Sequence, residues 1–225
     1  SIVTHNAVIL YQGGAIHWLG AKATLTSCTF INNIAATQAG AVRLFNTTGI
    51  ITGCTFINNI AGTYSGAVHW EGANGKLTNC TFINNSAALD GGAISWTGAN
   101  GNLTNSSFIN NIANGTYGGA ISWNGVSGTL TNSIFINNNA NTSGGGIYLS
   151  ANNCTLSSSN FTGNTAKSSG GGVFWAWVTG GILTSSSFTG NTAKRNGGGV
   201  EWHGTKSTLS SSTFLTNTGT LGGAV

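Results

Sequence analysis

Apolar side chains recur along this chain in fixed columns. The phenylalanines of a Phe-x-x-Asn motif stand at Phe30, Phe56, Phe82, Phe108, Phe135, Phe161, Phe188 and Phe214, spaced 26, 26, 26, 27, 26, 27 and 26 residues apart. Five residues before each lies an aliphatic residue: Leu25, Ile51, Leu77, Leu103, Leu130, Leu156, Leu183 and Leu209. Three residues after each lies Asn, from Asn33 and Asn59 through to Asn191 and Asn217. The other half of the unit is Gly-Ala/Gly-Ile/Val, ending for example at Ile16, Val68, Ile121 and Val200, with Trp or Leu two residues later. Short alternating runs, rich in β-branched and aromatic residues and separated by Gly or Asn, predict strands and no helix. Three short strands per unit cannot bury an apolar side alone. Stacked about 4.8 Å apart, the units turn each column into a continuous interior stack, a rod roughly 40 Å long. The expected fold class is therefore all-β, a parallel β-helix solenoid of about eight coils of 26–27 residues. Residues 1–225 form one domain, with 1–13 a divergent N-terminal half-coil and 14–225 the regular coils.

Strand alternation assigns the faces. In Leu25 to Asn33, Leu25, Cys28 and Phe30 point inward, a bend falls near Ser27, and Thr26, Thr29 and Ile31 point out. The Phe, Leu and Ile/Val columns read as stacked core. The Trp column (Trp18, Trp70, Trp96, Trp123, Trp175 and Trp202, with Leu44 and Leu149 in register) reads as core by the same alternation, with a solvent-facing aromatic strip as the alternative. The Asn column reads as a buried amide ladder at a turn, where Asn also tolerates a left-handed backbone. The Gly column serves another tight corner that excludes a Cβ. Cys28, Cys54 and Cys80 share one column that Ser106, Ser133, Ser159, Ser186 and Ser212 continue, whereas Cys154 lies in another. Three thiols in a row cannot all pair, and buried small-residue packing is the expected role.

Charge changes the picture by its scarcity. Only ten residues are charged, seven Lys or Arg and three acids, for a net +4. The basic residues are scattered, which argues against nucleic acid. No apolar stretch approaches the length of a membrane span. Glycoside hydrolysis needs paired carboxylates, yet Glu71, Asp90 and Glu201 fall at different phases or on distant coils. Ser and Thr form periodic rows rather than joining a unique His and acid. His5, His17, His69 and His203 are spread along the chain, His17 and His69 being expected at the solvent face two coils apart, so no metal and no cofactor are expected. The chain reads as not an enzyme.

Gly-Gly-Ala-Ile (Gly13 to Ile16, Gly91 to Ile94, Gly118 to Ile121) alternating with Phe-Ile-Asn-Asn (Phe30 to Asn33, Phe56 to Asn59, Phe82 to Asn85) resembles the polymorphic outer-membrane-protein repeat of bacterial autotransporter adhesins and of adhesin-like surface proteins of methanogenic archaea. The resemblance covers essentially the whole chain. It implies a right-handed parallel β-helix with a surface or adhesive role. The start at Ser1 without an initiator Met is read as a processed, secreted or cell-surface protein. Ends that stop mid-coil without a capping segment are read as templates for self-association, head-to-tail or lateral, into a filament.

Two other partners are weighed beside adhesion. Ice is suggested by the outward row Thr26, Thr52, Thr78, Thr104, Thr131, Ser157, Thr184 and Ser210, flanked two residues earlier by Thr24, Thr129, Thr155 and Thr208 and broken there by Lys76 and Asn102. Outward Thr is also what exposed strands prefer. Surface glycans are suggested by Tyr148, Phe174 and Trp177 near the irregular segment Phe174 to Trp177. Asn46, Asn102, Asn114 and Asn141 are candidate glycosylation sites, while Asn79, Asn84 and Asn105 match turn columns and are expected to be inaccessible.

Overall fold

A computed structural model describes all residues, 1–225. It is a parallel β-solenoid with no helix. Each coil carries four strands, one more than the repeat suggested, because the Gly-rich half of the unit is preceded by a two-residue strand too short to announce itself by alternation. Four parallel sheets run the length of the rod. They are named here for the side chain each turns inward. The Trp sheet runs from Ile16–Leu19 to Val200–Thr205, the Leu sheet from Lys22–Thr26 to Thr208–Ser210, the Phe sheet from Ile2–Thr4 and Thr29–Ile31 to Thr213–Leu215, and the Ala sheet from Ala7–Val8 to Thr192–Ala193. With one shift, between Val173–Thr179 and Val200–Thr205, strands pair in register with their counterparts one coil away, as in Phe82 against Phe56 and Phe108, or Leu77 against Ile51 and Leu103. The half-coil 1–13 contributes Ile2–Thr4 and Ala7–Val8 to two of the sheets.

Like therefore stacks on like. The eight phenylalanines form one column with ring centroids 4.6 to 4.9 Å apart and planes within 2 to 6°. The Trp column is core, as alternation required: Trp70, Trp96, Trp123 and Trp175 are buried, and Trp70, Trp96 and Trp123 stack at 4.4 and 4.7 Å. These indoles lie over a facing column of glycines: a Cβ at Gly75, Gly101 or Gly128 would come within 2.4 to 2.6 Å of the same coil's indole. Where the ring is replaced by Leu149, the facing position is Cys154, so a smaller residue on one strand is offset by a larger one on the next. In the final coil the Leu column surfaces, Leu209 being 42% exposed.

The corners divide work that the sequence attributed to single columns. The buried ladder Asn33 to Asn217 is not itself left-handed. The residue before it takes the positive φ, as at Asn32, Asn58, Asn84, Asn110 and Asn137, which frees the ladder residue to point its amide inward. Asn85 Nδ2 donates to Phe56 O at 3.0 Å and to Asn111 Oδ1 at 3.0 Å, while its Oδ1 accepts from the backbone N–H and the amide of Asn59. The Gly corner is split in the same way: Gly91 holds φ 66°, and next to it a Cβ on Gly92 would sit 2.0 Å from Gly119 O.

All four cysteines are free thiols. Cys54 is drawn toward thiolate, to about 6, by the Cys80 thiol and by the Cys28 backbone N–H against the opposing effect of burial; Cys80, on the donor side of that contact, is pushed up. In later coils serine fills the column and does both jobs: Ser133 Oγ donates to Thr131 O and accepts from Ser106 N–H.

A groove over the Trp sheet as the candidate functional site

The outer faces of the other three sheets are mostly Thr, Ser, Ile and Asn, but the Trp sheet carries His, Arg, Tyr, Phe and Glu. Its central outward column reads His17, Arg43, His69, Ser95, Ser122, Tyr148, Phe174, Glu201. This column is the floor of a groove. One wall is the turn before the Gly corner, which carries Gln38, Tyr64, Asp90, Tyr117, Ser143, Ser169 and Asn196 on successive coils. The other wall carries Glu71, Thr97, Asn124, Ser150, Trp177 and His203. Because the walls rise above it, much of this outward floor is nonetheless covered: His69, Ser95, Ser122, Phe174 and Glu201 are all buried. His17 faces solvent as expected, but His69 does not; Glu71 and the Ser65 turn close over it.

All three carboxylates, three of the four histidines and three of the four tyrosines border this one groove. The repeat hid this, because the acids occupy different columns: Glu71 one wall, Asp90 the other, Glu201 the floor. The visible signal was that these columns mix acids, histidines, aromatics and amides from coil to coil.

At the N-terminal end the groups satisfy one another. Arg43 Nη2 and Nε donate to Glu71 Oε1 at 2.6 and 3.0 Å, and His69 Nε2 lies 3.2 Å from the same oxygen. Those partners, His69 first and then Arg43, hold the Glu71 carboxyl below its ordinary range. Partial burial, reinforced by Arg43 at 3.0 Å, lowers His17. Ser65 Oγ is 2.9 Å from His69 Nδ1, so a serine, a histidine and a glutamate stand in line. Ser65 is fully buried, and its Oγ already accepts the Ser95 N–H at 3.1 Å, so the hydroxyl has no path to a substrate.

At the C-terminal end the groove becomes aromatic. The strand Val173–Thr179 is seven residues long, and its register against the next coil shifts between Trp175 and Val178. Ala176 and Trp177 together oppose His203, a β-bulge that leaves Trp175 inward in register with Trp202 and turns Trp177 outward, 77% exposed. Tyr117 stacks on Tyr148 at 4.3 Å, Tyr148 on Phe174 at 5.5 Å, and Trp177 on His203 at 4.7 Å. The three aromatics singled out from the sequence thus meet, although Phe174 is buried and forms the support beneath the edge of Trp177. Glu201 Oε1 accepts from His203 Nε2 at 2.6 Å and from Asn196 Nδ2 at 3.3 Å. Burial, followed by Tyr117 and Asp90, raises the Tyr148 phenol, which therefore stays a neutral donor. Tyr148, Phe174, Trp177, Glu201 and His203 line a cleft of about 260 Å³.

The remaining sequence candidates lie elsewhere. The hydroxyl row from Thr26 and Thr52 to Thr184 is continuous along the Leu sheet, with Thr104 donating to Thr78 at 3.2 Å. The flanking row is more broken than expected: between Thr24 and Thr208 it also contains Ile50 and Ile182, besides Lys76, Asn102, Thr129 and Thr155. Asn46, Asn102, Asn114 and Asn141 are exposed. So are Asn79, Asn84 and Asn105, contrary to expectation, since a left-handed corner residue points its side chain out while its backbone turns in. No three His, Cys, Asp or Glu side chains converge in a metal-binding geometry, and no helix is long and apolar enough to cross a membrane.

Comparison with curated proteins and with solved structures returned no match. The family model described as the right handed beta helix region matches residues 13–192, most of the solenoid and most of its groove; the chain belongs to that family.

Proposed function

We propose that this protein is a non-enzymatic, secreted or cell-surface adhesive β-helix, of the kind built from polymorphic outer-membrane-protein repeats, and that its contact is a glycan held at the aromatic end of the Trp-sheet groove. The observation that carries the reading is the β-bulge at Ala176–Trp177, which exposes one indole at the rim of a cleft that Tyr148, Phe174, His203 and Glu201 also line. A pyranose ring offers a face of weakly positive C–H groups to the negative face of an aromatic ring, while its hydroxyls donate to a carboxylate. Trp177 supplies the first and Glu201 the second. A rigid repeat that departs from its own pattern at one exposed aromatic spends stability there, and contact with a partner is the physical reason for such a departure.

The spacing of the acids favours binding over hydrolysis. Asp90 and Glu201, the two acids that line the clefts, lie four coils apart, about 19 Å at ~4.8 Å per coil, whereas glycosidic carboxylates work within about 10 Å of one another; Glu71, one coil from Asp90, is committed to Arg43 and His69. The test is a glycan array followed by calorimetry on the hits. Trp177→Ala should weaken binding at least about tenfold, as loss of an interface hot spot does, with the melting temperature unchanged and no sugar released on prolonged incubation. Equal binding by the variant would overturn the assignment of the site, and release of reducing ends would overturn the non-enzymatic reading.

A further inference from the structure

A second cleft, of about 300 Å³, opens on the same groove nearer the N-terminus, lined by Gln38, Tyr64, His69, Asp90, Ser95, Thr97 and Asn124. It ends on the coil where the aromatic cleft begins: Asn124 follows the strand Ile121–Trp123, and Tyr117 precedes it. The two clefts are successive stretches of one trough. We propose that this trough takes a linear, uncharged oligosaccharide along the rod axis, gripped by aromatic stacking at its C-terminal end and by hydrogen bonds alone in the polar stretch. The inference rests on the glycan reading above and extends it to the shape and charge of the ligand.

The polar stretch has the chemistry for hydroxyls. Tyr64, Ser95 and Thr97 offer hydroxyl groups, and Gln38 and Asn124 offer amides that both donate and accept. Asp90 is oriented from behind, its Oδ1 accepting from the Thr116 hydroxyl and from the Tyr117 N–H at 2.8 Å. Nothing there is free to neutralise an anion. His69 is engaged at both ring nitrogens, and the nearest guanidinium, Arg43, is committed to Glu71 and His17. With Asp90 and Glu201 as acidic groups along the trough, a uronate or sulfated chain would meet like charge, and a neutral chain meets none.

The length of the trough makes the proposal measurable. It spans the coils from Tyr64 to His203, about 25 Å at ~4.8 Å per coil, which is longer than a disaccharide. The probes are graded cello-, xylo- and manno-oligosaccharides of two to six sugars, with oligogalacturonates of equal length as the acidic comparison. Binding to the intact protein should tighten with length, by about tenfold or more from disaccharide to hexasaccharide in the best neutral series, as contacts on one ligand add, and oligogalacturonates should bind more weakly. The double variant Tyr64→Ala, Asn124→Ala, verified as folded by circular dichroism and melting, should lose the gain with length but keep disaccharide binding. Trp177→Ala should weaken every length. Disaccharide binding as tight as hexasaccharide binding, a long-chain affinity unmoved by the double variant, or a preference for the acidic series would overturn this inference while leaving the glycan site standing. Failure of every oligosaccharide to bind the intact protein would overturn both.

Discussion

Asn85 illustrates how much a single repeated residue carries. Its side chain makes four hydrogen bonds in a fully buried corner and satisfies the backbone N–H of Asn59, which has no other acceptor once the amide is gone. Asn85→Ala should cost about 3 kcal/mol or more, because it strands buried donors rather than merely deleting a bond; urea unfolding would read this as a lower midpoint at unchanged slope. Glu71 works by charge instead. Its folded pKa lies below the ordinary 4.5, so between the folded and unfolded values the unfolded chain binds the extra proton. The stabilisation is complete above about pH 4.5 and is lost as pH falls through the depressed value. Glu71→Gln should remove about 1 kcal/mol near neutrality, the group being partly solvent-exposed, and should flatten the acid limb of the stability curve. An unchanged acid limb would mean that Arg43 and His69 do not bias this carboxyl in solution.

At the scale of the strand, identity in one column answers identity in another. Trp faces Gly across the interior in four coils, and in one coil Leu149 faces Cys154. Leu149→Trp alone should destabilise by about 2 kcal/mol through overpacking against Cys154, whereas Leu149→Trp combined with Cys154→Gly should return most of it, a favourable coupling readable in a double-mutant cycle. Additive losses would show that the two positions do not share volume. The bulge at Ala176–Trp177 follows the same logic in reverse. An extra residue cannot be absorbed by a ladder in strict register, so the strand bends and one side chain is expelled to the surface.

At the scale of the whole molecule, four stacked sheets give four faces, and only one gathers acids, histidines and stacked aromatics. The Leu-sheet face has one continuous row of hydroxyls, but its neighbour is interrupted by Ile50, Lys76, Asn102 and Ile182, so no two-dimensional hydroxyl lattice forms. Accordingly the purified protein should produce no thermal hysteresis in nanolitre osmometry; a hysteresis gap abolished by Thr78→Tyr would instead move the functional face to the Leu sheet. The sequence by itself determined the solenoid, its period, the inward columns and the buried Asn ladder, because a parallel in-register stack obliges every coil to solve the same packing problem, and the solution is written out eight times. It did not reveal the Ala-sheet strand, whose two residues give alternation nothing to act on, nor which member of each corner pair takes the left-handed backbone. Tyr148, Phe174 and Trp177 could be picked out as an aromatic group near an irregular segment. The gathering of Glu71, Asp90, Glu201, His69 and His203 on one groove was decided only by the tertiary structure, because walls and floor come from different columns, and residues 130 apart in the chain come to line one groove only when the turns that separate them are folded into a common face.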